Sequence, residues 1–329
     1  SQVAISVDAP GKVNLYLAVG DVRPDGYHPL TTLFAAVSLT ETITVSKGQV
    51  PGLSLSMDIV PGSLVDQQMQ AGQFDPAAVP MDERNLVYRA AELILTEHGI
   101  ESVPALHLHI AKAVPVAGGM AGGSADAAAA LIATDRYLHA TGCTGALLTQ
   151  TDYERLAAQL GADIPFSARA ALGQTFALGQ GTGTELQNVE APPESLHLVI
   201  VAAQFGLATP SVFKQLDAGR AAGEYPASGE LVEPVELLEA LNSYDGSEAA
   251  LASLAPLLRN DLQAPALSCA PQLEQTLNLR DSEGVYASLV SGSGPTVLLL
   301  VSSQARAEAL ASALRATGNH AVATKVTSA

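Results

Sequence analysis

Residues 115–130 read Pro-Val-Ala-Gly-Gly-Met-Ala-Gly-Gly-Ser-Ala-Asp-Ala-Ala-Ala-Ala, which places four glycines and a serine between a strand-like and a helix-like segment. Glycine lacks a Cβ, so its backbone reaches φ > 0 and lets successive N–H groups converge on an anion. The helix N-terminus that follows adds partial positive charge. The run therefore predicts a phosphate cradle, although a bare glycine turn is also compatible with a purely structural role. Two common nucleotide patterns do not fit. Gly118 and Gly123 have Walker A spacing, but Ser124 stands where that motif needs Lys, and no glycine lies two residues after Gly118 as G-x-G-x-x-G requires. A nucleotide loop of another class is left.

Charge narrows the ligand. The formal net charge of −17 argues against nucleic acid as a partner, because such binding needs an excess of Lys and Arg facing phosphates. A small phosphorylated ligand remains compatible, since a few local cations, backbone amides and a metal ion overcome the global field. With 48% hydrophobic and 15% charged residues, the 329-residue chain can build a large core and has room for two domains. Cys143 and Cys269 lie far apart without CxxC spacing, so neither a zinc site nor a disulfide framework is expected. With no apolar run of about 18 residues and no signal-like start, the expected place is the cytoplasm, with no membrane partner.

Periodicity supplies the elements. Val13, Leu15, Leu17 and Val19 alternate with Lys12, Asn14 and Tyr16, which predicts a strand with one packed face and one face free for a ligand. Arg23-Pro24-Asp25-Gly26 is a turn that delivers Tyr27 and His28. Strands are expected over 33–38, 41–45, 105–112, 196–202, 285–290 and 296–302, and residues 61–81 read as a long surface loop. Helices are expected over 85–98, from Ser124 as N-cap onward, over 151–160, several times within 210–281, and before a closing strand. His107 and His109 share a strand face, but an i, i+2 pair without a third ligand reads as polar surface rather than a metal site. Val189-Glu-Ala-Pro-Pro-Glu194 reads as a domain boundary, and strands at both ends of the second half suggest an α+β sandwich.

Pro115 to Ala128 resembles the second motif of the GHMP small-molecule kinases, a loop that wraps ATP phosphates. Pro10-Gly-Lys-Val-Asn-Leu-Tyr-Leu17, Asp25-Gly-Tyr-His28, Gly161-Ala-Asp-Ile-Pro-Phe166 and Ser291-Gly-Ser-Gly-Pro295 then fall in the order seen in the family member whose acceptor carries cytidine diphosphate. The resemblance implies a two-domain α+β GHMP kinase fold. Residues 1–190 would form an ATP-binding domain similar to the ribosomal S5 domain-2-like fold, and residues 191–329 a ferredoxin-like α/β sandwich that binds substrate. It implies ATP and Mg²⁺ as cofactors and a small molecule with a cytidine diphosphate group as partner, phosphorylated on its 2-hydroxyl. Other kinases of the family, acting on homoserine, mevalonate or a sugar, are the nearest alternative, and a non-catalytic nucleotide sensor is the alternative of another class.

The same resemblance assigns roles. Asp163 matches the family's base and Lys12 its catalytic lysine, and phosphoryl transfer needs both a proton acceptor and stabilising charge. Pro115-Val116-Ala117-Gly118-Gly119-Met120-Ala121-Gly122-Gly123-Ser124-Ala125 would hold the phosphates, and Asn85 resembles the position that meets adenine. Tyr27 and Phe213 would stack the cytosine, His28 would meet its polar edge, and Asn14, Thr209 and Pro210 would support the acceptor. Gly292, Ser293 and Gly294 would form a second backbone cradle. Three departures stand out: Met120 for the usual Leu, Ala125 for the second Ser of a Ser-Ser pair, and Asp126 for a frequent Asn. The metal ligands are not legible, and Asp126 reads first as a favourable charge in a first helical turn.

Overall fold

The computed structural model describes residues 2–116, 118–120 and 122–326. Two long strands, β1 (Ile5–Val19) and β2 (Leu30–Lys47), are followed by β3 (Gly52–Ile59) and the helices α1 (Leu64–Gln70) and α2 (Leu86–Glu97). Strand β4 (Ala105–Lys112) leads through the glycine run into α3 (Gly122–Ala140), α4 (Gln150–Leu160) and α5 (Ile164–Ala171). Next come β5 (Phe176–Gln180), β6 (Glu185–Asn188), β7 (Leu196–Ala202), α6 (Thr209–Ala221), α7 (Val235–Asn242) and α8 (Glu248–Leu254). The chain closes with β8 (Arg259–Asn260), α9 (Gln263–Cys269), α10 (Leu273–Leu277), β9 (Val285–Val290), β10 (Val297–Val301), α11 (Gln304–Ala316) and β11 (His320–Val326). Among the described residues, no helix is long and apolar enough to cross a membrane.

The chain divides into two compact units that do not follow chain order. The first comprises Ser1–Gly11, Leu39–Val116 and Ala121–Gln174, and the second Lys12–Ser38, Ala117–Met120 and Thr175–Ala329. In the first unit β4 pairs in parallel with β3 and antiparallel with Thr42–Lys47 of β2. Strand alternation turns Leu106, Leu108 and Ile110 inward, where they meet Val87, Ala90, Ala91 and Ile94 of α2 and the buried side of α3. Helix α3 is buried almost all round, so its small side chains permit close approach from several sides. Asn85 caps α2 by accepting from Val87 N at 2.9 Å, and Thr149 and Asp152 form a capping box on α4.

The second unit contains an antiparallel sheet in the order β11-β7-β10-β9. With α6 between β7 and β9 and α11 between β10 and β11, the chain runs β-α-β-β-α-β, the ferredoxin-like arrangement expected. Val199, Val201 and Leu299 pack with Val212 and Leu216 of α6 and Ala307 and Ala311 of α11. In the same unit Thr32–Ala35 of β2 pairs with β5, and Tyr16 and Leu17 of β1 pair with β8.

Several local expectations are corrected. The strands expected at 33–38 and 41–45 are one strand, β2, because neither Thr40 nor its neighbours break the extended backbone. The loop expected over 61–81 holds α1, capped where Ser63 Oγ accepts from Asp66 N at 3.1 Å, and a 3-10 turn at Pro76–Ala78. Only Leu64 and Val65 of α1 are buried, too few for a readable period. Strand β1 starts at Ile5, and both of its faces are covered from Lys12 to Leu15. Helix α3 starts at Gly122, so Ser124 lies in its first turn instead of capping it.

The α2–α3 layer is the part of the first unit most exposed to a packing test. Ile94 is fully buried, so Ile94→Ala is expected to cost about 2–5 kcal/mol in urea unfolding of the full chain; a loss below about 1 kcal/mol would contradict this packing.

Candidate active site

The glycine run splits its work. Gly118 and Gly119 both sit at φ +95°, whereas Gly122 and Gly123 are already helical. Gly118 O accepts from Thr296 N at 3.2 Å, and Gly119 O accepts from Ser291 Oγ at 3.0 Å. A trans peptide sets N–H opposite C=O, so the amides of Gly119 and Met120 point away from the 291–296 turn, as an anion cradle requires. Glycine is obligatory at 119 on two counts: the positive φ, and Ser291 O, which a Cβ would meet at 2.1 Å. Gly122 is equally constrained, since its Cβ would lie 2.3 Å from Val114 O. Pro115 O accepts from Gly122 N at 3.1 Å, closing the turn into α3. Val116 is exposed and Ala125 buried, while Ala117 and Ala121 lie outside the described residues.

Beneath this run lies a buried cluster that sequence reading missed. Glu41 Oε1 accepts from Lys112 Nζ at 2.9 Å and from Val114 N at 3.0 Å, and Oε2 accepts from Ala113 N at 2.9 Å. Lys112 Nζ also donates to Asp126 Oδ2 at 3.1 Å, while Asp126 Oδ1 is buried with no hydrogen-bond partner among the described residues. Two carboxylates thus share one ammonium. Burial, and then the charge of Asp126, push Glu41 up to about 7, against the pull of Lys112 and the Ala113 amide. Burial also raises Asp126. For Lys112, burial works against the charge, but the two carboxylates outweigh it and hold its pKa above the usual value. Asp126 is therefore an ion-pair partner within the core and not the first-turn acid expected, because α3 starts at Gly122 and leaves it beyond the first turn. One signal was legible: Lys112 continues the inward phase of Leu106, Leu108 and Ile110, which demands a buried counter-charge.

In the second unit, Lys12 N donates to Met120 O at 3.1 Å, bringing the start of the Lys12–Val19 segment against the glycine run. Lys12 Nζ donates to Asn14 Oδ1 at 2.8 Å and stands 5.4 Å from the Phe34 ring centroid. Asn14 Nδ2 donates to Thr32 Oγ1 at 2.7 Å, and a Cβ on Gly292 would lie 3.6 Å from Asn14 Oδ1. Lys12, Asn14, Met120 and the 291–296 turn are therefore neighbours. Asn260, also missed by sequence, holds that turn by donating to Val290 O and Gly292 O. Asp163, in the first unit, is the half-buried residue before α5 and makes no side-chain cap bond. The Asn85 amide is engaged at both ends, as cap of α2 and as donor to Pro80 O at 2.9 Å.

Tyr27, His28, Thr209, Pro210 and Phe213 line one cavity of about 480 Å³ in the second unit. Tyr27 is 64% exposed, and the His28 and Phe213 rings are 4.9 Å apart at 42°. Thr209 Oγ1 lies 2.8 Å from Ser293 Oγ, so the 291–296 turn also reaches this cavity's rim. Asp217 and Lys214 line it too. Sequence reading missed both, though Asp217 stands one helical turn beyond Phe213.

Among the described residues no group of three or more His, Cys, Asp or Glu could hold a metal. His107 instead bonds Ser54 and Ser56 through its two ring nitrogens, and His109 bonds Ser56 and Asp58. A cation carried mainly by phosphate oxygens and water fits this chain, with the half-buried Ser124 hydroxyl as a hard oxygen donor beside the cradle.

Comparison with known proteins bears on these features. The GHMP kinases N terminal domain matches residues 85–171, and the GHMP kinases C terminal domain matches residues 236–320. The chain is 41% identical over 321 residues to the 4-diphosphocytidyl-2-C-methyl-D-erythritol kinase of Pseudarthrobacter chlorophenolicus, covering 97% of this chain and 91% of that one. It is 44% identical over 304 residues to the protein of the same name from Mycobacterium avium, covering 92% and 84%. Among solved structures, a 4-(cytidine 5'-diphospho)-2C-methyl-D-erythritol kinase superposes with a TM-score of 0.73 at 29% identity, covering 99% of this chain and 100% of that one. A mevalonate kinase superposes with a TM-score of 0.66 at 12% identity over 99% of this chain and 100% of its own, a likeness of fold.

The Glu41 cluster yields a pH test. The folded carboxyl, with its pKa pushed up to about 7, keeps a proton that the unfolded chain releases near 4.5. Its contribution to stability is thus full below the unfolded value and is lost as pH rises through the folded one. The melting temperature is expected to fall between about pH 5 and about pH 8, and to fall less in Glu41→Gln. Equal slopes in the two proteins would contradict the assignment.

Proposed function

Because this chain belongs to the GHMP kinase family, we propose that it transfers the γ-phosphoryl group of ATP to the 2-hydroxyl of 4-(cytidine 5'-diphospho)-2-C-methyl-D-erythritol, a step of isoprenoid precursor synthesis. The observation that carries the substrate is the cavity lined by Tyr27, His28 and Phe213, a shape and chemistry suited to a pyrimidine ring. The name shared by relatives at 41–44% identity supports the same acceptor. A cytoplasmic setting belongs to the proposal, with both exposed cysteines kept reduced.

In this reading the acceptor oxygen attacks the γ-phosphorus, an O–P bond forms, the bond to the β,γ-bridging oxygen breaks, and ADP leaves. Asp163 accepts the hydroxyl proton. Lys12 supplies positive charge to the transferring group: Asn14 takes one of its three N–H donors and orients the ammonium. The amides of Gly119 and Met120 and the start of α3 hold the phosphates, and Tyr27 and Phe213 stack the base. Mg²⁺, when bound with ATP, neutralises phosphate charge, and Ser124 is the side chain that would support it. In this proposal residues 1–190 form the nucleotide-binding domain and also supply Asn14, Tyr27 and His28 to the acceptor, and residues 191–329 supply Thr209, Pro210 and Phe213.

Turnover of ATP with a panel of acceptors tests the substrate. Transfer to the cytidyl diphospho-polyol is expected; transfer to mevalonate, homoserine or a sugar in its place would overturn the reading. Asp163→Asn is expected to lower kcat by about 10²–10⁴-fold while calorimetric ATP affinity stays within about twofold. Tyr27→Ala should act differently, raising KM for the acceptor by roughly tenfold. A variant pair that altered only ATP affinity would contradict this division of roles.

A further inference from the structure

His28 has a partner that no role assigned above explains. Its Nε2 lies 2.8 Å from Asp217 Oδ1 and 3.0 Å from Oδ2, and its side chain is 8% exposed. Nδ1 has no hydrogen-bond partner among the described residues, and the ring lines the cavity beside Phe213. We propose that Asp217 is a positioning residue that fixes the tautomer of His28 and thereby sets which pyrimidine the cavity accepts. The inference rests on the reading that this cavity takes the base of the acceptor.

A carboxylate can only accept, so the bond requires the proton on Nε2. In the neutral ring that leaves Nδ1 as a lone-pair acceptor and the one ring atom free to meet a ligand. An acceptor at that point pairs with the exocyclic amine of cytosine and faces the 4-carbonyl of uracil lone pair to lone pair. The site therefore selects an amino over a keto pyrimidine, and the rejected base leaves a desolvated polar pair unmade. A doubly protonated ring would donate from Nδ1 and select the opposite base. Phe213 and Asp217 lie on one helix, α6, a single turn apart, so the group that packs against the imidazole and the group that sets its proton come from one rigid element.

Asparagine can offer either an acceptor or a donor to Nε2, so Asp217→Asn unlocks the tautomer while leaving the shape of the site. Phosphorylation of the cytidyl acceptor and of its uridyl analogue should be compared in the wild type, Asp217→Asn and Asp217→Glu, with ¹⁵N imidazole shifts read on the same proteins. The wild type is expected to favour the cytidyl acceptor in kcat/KM and to show a bare Nδ1. In Asp217→Asn that preference should shrink about tenfold through KM for the cytidyl acceptor, with kcat and the KM for ATP unchanged, and Asp217→Glu should restore most of it. Equal loss for both acceptors would make Asp217 a structural support only and overturn the proposal, as would a protonated Nδ1 or a wild type preferring the uridyl acceptor. A wild type that phosphorylates neither pyrimidine acceptor but does use another alcohol would overturn the function proposed above, and this inference with it.

Discussion

The glycine-loop end of the first unit hangs on one buried carboxylate. Glu41 reaches from β2 to the ammonium of Lys112 at the end of β4 and to the amides of Ala113 and Val114, the two residues that enter the glycine run. Lys112 shares the same ammonium with Asp126, four residues into α3. Strand exit, loop entry and helix start are therefore tied to one point. Two acids around one base cannot all be charged at no cost in a dry interior, and removing any single member strands the others. The cluster thereby gives α3 a fixed origin beside the end of β4.

Much of this was legible because the periodic signals were long. Strand β4 and helix α2 appear where alternation and 3.6-residue spacing put them, and the β-α-β-β-α-β order of the second unit follows from the spacing of strands and helices after residue 195. What was illegible has physical reasons. Helix α1 buries two residues, and α5 begins three residues after a glycine with Ile-Pro, which reads as a stop. Strand β2 crosses from one unit to the other at Ser38 and Leu39, so no single hydrophobic phase describes it.

The candidate site was proposed from resemblance more than from physics. Nothing in the spacing of Tyr27, His28 and Phe213 says that they line one cavity, since they are joined only when α6 meets the turn at Arg23–Gly26. Glu41 and Asp217 were invisible for the same reason: a carboxylate declares its role by its partner, and both partners are remote in sequence. Asn260 belongs with them, an amide whose two ends hold the backbone of the 290–292 segment and of Leu262.

The carbonyls of Gly118 and Gly119 are satisfied by residues 291–296, and the Gly119 backbone lies against Ser291 O. The most recognisable stretch of the sequence therefore takes its shape from remote residues as well as from its own neighbours. As the chain emerges from the ribosome, the loop is made some 170 residues before its template, and until Ser291 and Thr296 follow, its glycines sample the wide conformational range that makes them useful. A fragment ending before that turn would carry the whole loop motif and lack the partners that set its shape.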